Sequence, residues 1–151
     1  MNTMEKEIIL QEISAVYQTK NDVKAPIKRC TNAWEVGYFF SKEIGNLTQE
    51  RLVALFLNTK NEVLAYSVIT QGTINQSIAN PRDILQRALL TNSAGVIIAH
   101  NHPSGNLTPS EDDKRSTKRL KECCELMGIT LLDHFIVSEE SHLSFASQGL
   151  L

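Results

Sequence analysis

The chain has 151 residues, 42% of them hydrophobic, and a formal net charge of −2. That is enough for one ordinary domain with a core, and it excludes a strongly cationic protein that coats nucleic acid. Three cysteines, two of them adjacent, exclude a disulfide framework and fit a reducing, cytoplasmic setting.

Read from the N-terminus, Met1 to Glu7 has no basic leader, and Ile8-Ile9-Leu10 is a short apolar run. Neither a signal peptide nor a membrane span is expected. Ile8, Ile9, Ile13, Val16 and Tyr17 give residues 4–18 the pattern of an amphipathic helix or an irregular arm. Residues 21–27, with Pro26, read as a linker. Thr31 or Asn32 can cap a helix over residues 34–44, stopped by Gly45-Asn46, with Val36, Phe39, Phe40 and Ile44 as its core stripe. Trp34 reads as a packing residue, since no basic groove surrounds it for base stacking. Residues 52–57 and 63–70 form an antiparallel hairpin across the turn Asn58-Thr59-Lys60-Asn61. Gly72 and Asn75 mark the next bend.

Asn80-Pro81-Arg82-Asp83 starts a helix with Asn at the cap, Pro in the first position and an acid in the third. Ile84, Leu85, Ala88 and Leu89 should face the core, and residues 92–95 end the helix. The apolar strand of residues 96–99 then leads into His100-Asn101-His102-Pro103-Ser104-Gly105. Ser110 can cap a helix from Glu111 to about Met127, with Leu120, Cys123, Cys124 and Met127 as its buried stripe. Lys114, Arg115, Lys118, Arg119 and Lys121 form a basic face on that helix, a solvated surface or a contact for a polyanion. Gly128 caps its end. Residues 129–137 form the last long strand, and Ser144-Phe145-Ala146 a short one. The order ααββαβαβ points to an α/β (α+β) sandwich around a mixed, largely antiparallel sheet. Residues 1–46 would be a helical segment packed on a core domain of residues 47–151.

The chemistry-bearing stretch is His100 to Asp113. In an extended chain, residues two apart point to one side, and Pro103 keeps His102 out of helical geometry. Both imidazoles therefore face one way at a strand end, where functional residues concentrate. A carboxylate cluster, Glu111, Asp112 and Asp113, follows the loop. Two imidazoles and one carboxylate, with a fourth position open, is the ligand set of a catalytic zinc site. The plain alternative for Ser110 and Asp113 is a capping box at a helix start, with Asp in place of Glu. Asp133 could receive the second N–H of a ligating histidine. His134 reads as a core or wall histidine, and His142 as an exposed loop residue.

This stretch resembles the H-x-H-P-(x)-S-x-x-D signature of the JAB/MPN (JAMM) zinc metalloprotease superfamily. With Leu132-Asp133-His134 downstream, it is similar to the RadC-like branch, long described as DNA repair proteins. The resemblance implies a curved, cytidine-deaminase-like sheet flanked by helices. It also implies that His100, His102 and Asp113 hold Zn2+, with Ser110 lining the site and able to donate to a developing oxyanion. Spacing alone does not choose a general base among Glu50, Glu62, Asp83, Glu111, Asp112 and Asp133. Glu50-Arg51-Leu52-Val53-Ala54-Leu55 is similar to the superfamily's glutamate-bearing strand, which implies Glu50.

Three features depart from the pattern. Asn101 stands where deubiquitinase members carry Ser, which tells against a ubiquitin-like substrate. Asn80-Pro81-Arg82-Asp83 stands where RadC-like chains read His-Pro-Arg-Glu. No helix-hairpin-helix motif precedes Trp34. The expected function is hydrolysis of a protein or peptide amide. The alternative is a non-catalytic DNA repair accessory with a weak nucleic-acid association. A nucleotide deaminase would want a Pro-Cys-x-x-Cys pair, which Cys123-Cys124 does not supply.

Overall fold

The computed structural model describes residues 12, 27–72 and 80–151. The helix expected over residues 4–18 and the bend at Asn75 lie outside them. The elements are α1 (Ala33–Ile44), β1 (Arg51–Leu57), β2 (Val63–Gln71), α2 (Pro81–Leu90), β3 (Gly95–Asn101), α3 (Glu111–Leu126), β4 (Thr130–Val137) and β5 (His142–Ser144). The strands form one mixed sheet in the order β2-β1-β3-β4-β5. Only the β3–β4 pair is parallel, and α3 supplies the crossover between them. The fold is the expected α/β arrangement with a largely antiparallel sheet.

Strand alternation builds two cores, one on each face. Val53, Leu55, Leu57, Ile97, Ala99, Phe135 and Val137 pack with Val36, Phe39, Phe40 and Ile44 of α1. Leu52, Ala54, Phe56, Val96, Ile98 and Leu131 pack with Ile84 and Ala88 of α2 and Leu120 and Cys124 of α3. The capping chemistry decides the helix boundaries. Asn32 accepts the N–H groups of Trp34 and Glu35, and Asn80 accepts that of Arg82 with Pro81 behind it. Gly128 takes φ +71 just beyond the cap residue Met127, which lets the Ile129 N–H return to the Cys124 carbonyl at 2.9 Å.

Several expected placements differ. Leu89 is exposed, because it follows Ile84 by five residues and so sits well off the Ile84–Ala88 face. The buried stripe of α3 is Asp113, Thr117, Leu120 and Cys124, with Cys123 half-buried and Met127 exposed. Trp34 is 62% exposed and stacks on Tyr38 at the surface, so it is not a core residue. The last strand lies at His142–Ser144, two residues before its expected place. His142 therefore belongs to β5 and is half-buried, edge-on to Trp34 and Phe135, and its pKa is lowered by burial.

Gly45, the C-cap of α1, has no room for a side chain. A Cβ there would lie 2.3 Å from the Ser138 carbonyl oxygen, and the Ser41 hydroxyl donates to that same carbonyl. Because the obstacle is backbone, Gly45→Ala is expected to destabilise the protein by about 1–3 kcal/mol, read as a lower urea midpoint.

Candidate metal centre

β3 and the start of α3 bring the site together. His100 sits on β3 opposite Leu52 of β1, on the sheet face covered by α3. His102 follows the strand, its N–H donating to the Val137 carbonyl at 3.0 Å. The loop then turns back through Gly105 to Ser110, the N-cap of α3. Ser110 and Asp113 form a complete capping box. The Asp113 N–H donates to Ser110 Oγ at 3.0 Å, and the Ser110 N–H donates to Asp113 Oδ2 at 2.9 Å.

The cap and the histidines share one carboxylate. Asp113 Oδ1 lies 3.7 Å from His100 Nε2, and Oδ2 lies 3.6 Å from His102 Nε2. The two Nε2 atoms are 2.9 Å apart. One ligand atom from each of the three residues falls within 4.8 Å of the others. Tetrahedral zinc bonds of ~2.0–2.1 Å place ligand atoms about 3.3 Å apart, so the spacing fits such an ion. The donor chemistry fits as well. Among the described residues, imidazoles alone face this buried carboxylate in ion-pair range, and His102 Nδ1 lies 2.6 Å from the Asn106 carbonyl. That carbonyl accepts an Nδ1–H and leaves Nε2 as a lone-pair donor. The sequence sets a capping role for Asp113 against a ligand role, and here the capping carboxylate also faces both histidines.

The electrostatics agree. Burial pushes the His100 pKa down to about 4, against the raising influence of Asp113. His102 is raised, chiefly because its protonated ring can donate to Asp113. Burial works to raise Asp113, but His102, His100 and Ser110 together hold it well below the usual carboxylate range. One neutral imidazole, one basic imidazole and a firmly ionised carboxylate form a cation-attracting set.

Glu50 lies one residue before β1 and is half-buried. Its carboxyl is raised by burial, lowered by the charge of His102 and raised by that of Asp113. Three of the other acids considered as bases are placed differently. Asp133 is buried beside β5, accepting from the Ser144 hydroxyl and from the N–H groups of His134 and Ala146. It is therefore not the outer partner of a ligating histidine. That place belongs to His134, whose Nε2 lies 2.7 Å from His100 Nδ1. Glu111 and Asp112 are exposed and ion-paired with Lys114 and Arg115.

Sequence reasoning also missed Asn101. Its fully buried side chain accepts the Arg51 N–H at 2.7 Å and donates to the Gln49 carbonyl at 2.9 Å. It thereby clamps the backbone on both sides of Glu50. The signal was its place between two candidate ligands in a strand whose alternate residues are core.

A pair of strand-end histidines completed by a helix-start aspartate, on a mixed sheet covered by helices, defines a JAB-type α/β domain. Residues 30–150 match the family model of the RadC-like JAB domain, and the chain belongs to that family. It is 43% identical over 121 residues to a UPF0758 protein of Enterococcus faecalis, covering 80% of this chain and 52% of that protein. It is 45% identical over 107 residues to a UPF0758 protein of Streptococcus sanguinis, covering 71% and 47%. The chain spans about half the length of these curated relatives.

Asn101→Ala leaves the part-buried Gln49 carbonyl and Arg51 N–H without their side-chain partner. It is expected to cost about 1–3 kcal/mol, measured by urea unfolding.

Proposed function

We propose that this domain is a zinc-dependent hydrolase of a peptide or isopeptide amide, acting on a protein or peptide substrate. The observation that carries this reading is the convergence of His100, His102 and Asp113, with the Glu50 carboxyl under the electrostatic influence of two of them. Two imidazoles and a carboxylate with an open position suit zinc. Zinc held there supplies Lewis acidity that brings the ionisation of a coordinated water to near neutral pH.

The chain's own groups supply the rest. Glu50 accepts the proton of the attacking water on a carboxylate oxygen and delivers it to the leaving nitrogen. Its raised pKa makes it a better base for that transfer. Ser110 Oγ accepts from the Asp113 N–H, so its own proton is available to the substrate carbonyl oxygen, where negative charge develops. Asn101 holds the Glu50 backbone in register with His100.

The alternative, a DNA repair accessory, rests on the basic face of α3. Two of the five cations on that face, Lys114 and Arg115, are already paired with Glu111 and Asp112 of the same helix. This favours the hydrolase. Among the described residues no helix is long and apolar enough to cross a membrane. Three free cysteines, with the Cys30 and Cys124 thiols pushed up to about 11 by burial, fit a reducing cytoplasm.

Glu50→Gln is nearly isosteric and removes the proton acceptor. With a quenched-fluorescence library of peptide and isopeptide amides, it should keep the bound zinc and lose roughly two to four orders of magnitude in turnover. Wild-type turnover in Glu50→Gln removes Glu50 from the mechanism. A zinc-loaded wild type that cleaves nothing in the library returns the case to the non-catalytic reading.

A further inference from the structure

We infer that Thr117 and His134 are positioning residues that fix the tautomer of His100, holding its proton on Nδ1 and its Nε2 lone pair toward His102 and Asp113. The reasoning is a count of protons. The Thr117 hydroxyl lies 2.6 Å from the Asp113 backbone carbonyl, which can only accept. Its one proton is therefore committed there. At its 2.7 Å contact with Thr117 Oγ1, His134 Nδ1 must be the donor. His134 is wholly buried, and among the described residues no acid side chain hydrogen-bonds its ring. It is the neutral form with a bare Nε2, and that atom accepts from His100 Nδ1 at 2.7 Å. His100, also buried and neutral, then has no proton left for Nε2.

The opposite orientation fails at Asp113. If Thr117 donated to His134, every proton would reverse, and His100 Nε2–H would donate to His102 Nε2 at 2.9 Å. The Thr117 and Asp113 oxygens would then stand 2.6 Å apart with no hydrogen between them. In the inferred orientation the two Nε2 lone pairs face one another, the arrangement a shared cation satisfies.

Two structural details hold the relay in place. The β3–β4 register shifts between Val96 and Ile97, so that Leu132 is an extra residue and His134 pairs with Ile98. Without that bulge His134 would fall on the α1 face. Its ring stacks on Phe145 at 4.4 Å with an interplanar angle of 24°. The relay also joins two of the candidate ligands, since it starts on the Asp113 backbone in α3 and ends on the His100 ring in β3.

The role of this tautomer in metal binding rests on the zinc reading, but the tautomer itself does not. Two-bond 15N–1H correlation spectra of the imidazoles, taken on the metal-free full chain at pH 8, should show His100 protonated at Nδ1. In Thr117→Val the His134 Nδ1–H loses its acceptor, and the His100 proton should move to Nε2. Zn2+ affinity, measured by chelator competition, should fall about 10–100-fold. Thr117→Ser keeps the hydroxyl and should restore both readouts. An Nε2–H His100 in the wild type overturns the inference without any variant. So does a Thr117→Val protein with the wild-type tautomer and zinc affinity. If the wild type binds no zinc, the metal reading fails, and the wild-type spectrum alone decides the relay.

Discussion

The site depends on one buried carboxylate. Asp113 sits at the first turn of α3 with both oxygens toward imidazoles and one of them accepting the Ser110 N–H. Removing a carboxylate from water costs several kcal/mol unless its lone pairs are met. Here they are met by a helix-start N–H and by two histidines that a strand end delivers. The capping box and the ligand cluster are one construction. The hydrogen bonds that start α3 also aim the Asp113 oxygens.

The sheet makes that construction possible through parity. β1 and β3 pair so that Leu52 lies opposite His100, placing Glu50, two residues earlier, at the same mouth. β3 and β4 pair in parallel with one extra residue, which turns His134 toward His100. Asn101 points to the other face, where it binds the backbone around Glu50. A single strand and its end thus send the candidate ligands to one side and a backbone clamp to the other. A one-residue slip would exchange them.

Much of this was legible in the sequence. Asn32, Asn80-Pro81 and Ser110 announced three helices through capping chemistry, and the apolar runs of β1 and β3 announced buried strands. His100, His102 and Asp113 were legible as a ligand set because their spacing and the intervening turn residues are local. What was not legible is long-range or polar. The stripe of α3 begins with Asp113 and Thr117, so a search for apolar periodicity shifted it toward Cys123 and Met127. The bulge at Leu132 leaves no local signature, and a carboxylate is a common partner of a ligating histidine, so Asp133 was the residue offered for that place. His142 looked like a loop residue because the β5 segment is only three residues long. The ring is half-buried because Gly37 leaves it space, with a Cβ there falling 2.3 Å from His142 Nδ1.

The central claim is that His100, His102 and Asp113 together hold zinc. Elemental analysis of the purified full chain, with zinc K-edge X-ray absorption on the same sample, tests it most directly. The account predicts about one zinc per chain, with two imidazole nitrogens among ligands at ~2.0–2.1 Å, and loss of that zinc in a His100→Ala/His102→Ala double variant. Zinc content unchanged by the double variant, or a bound zinc without imidazole scattering, would contradict it.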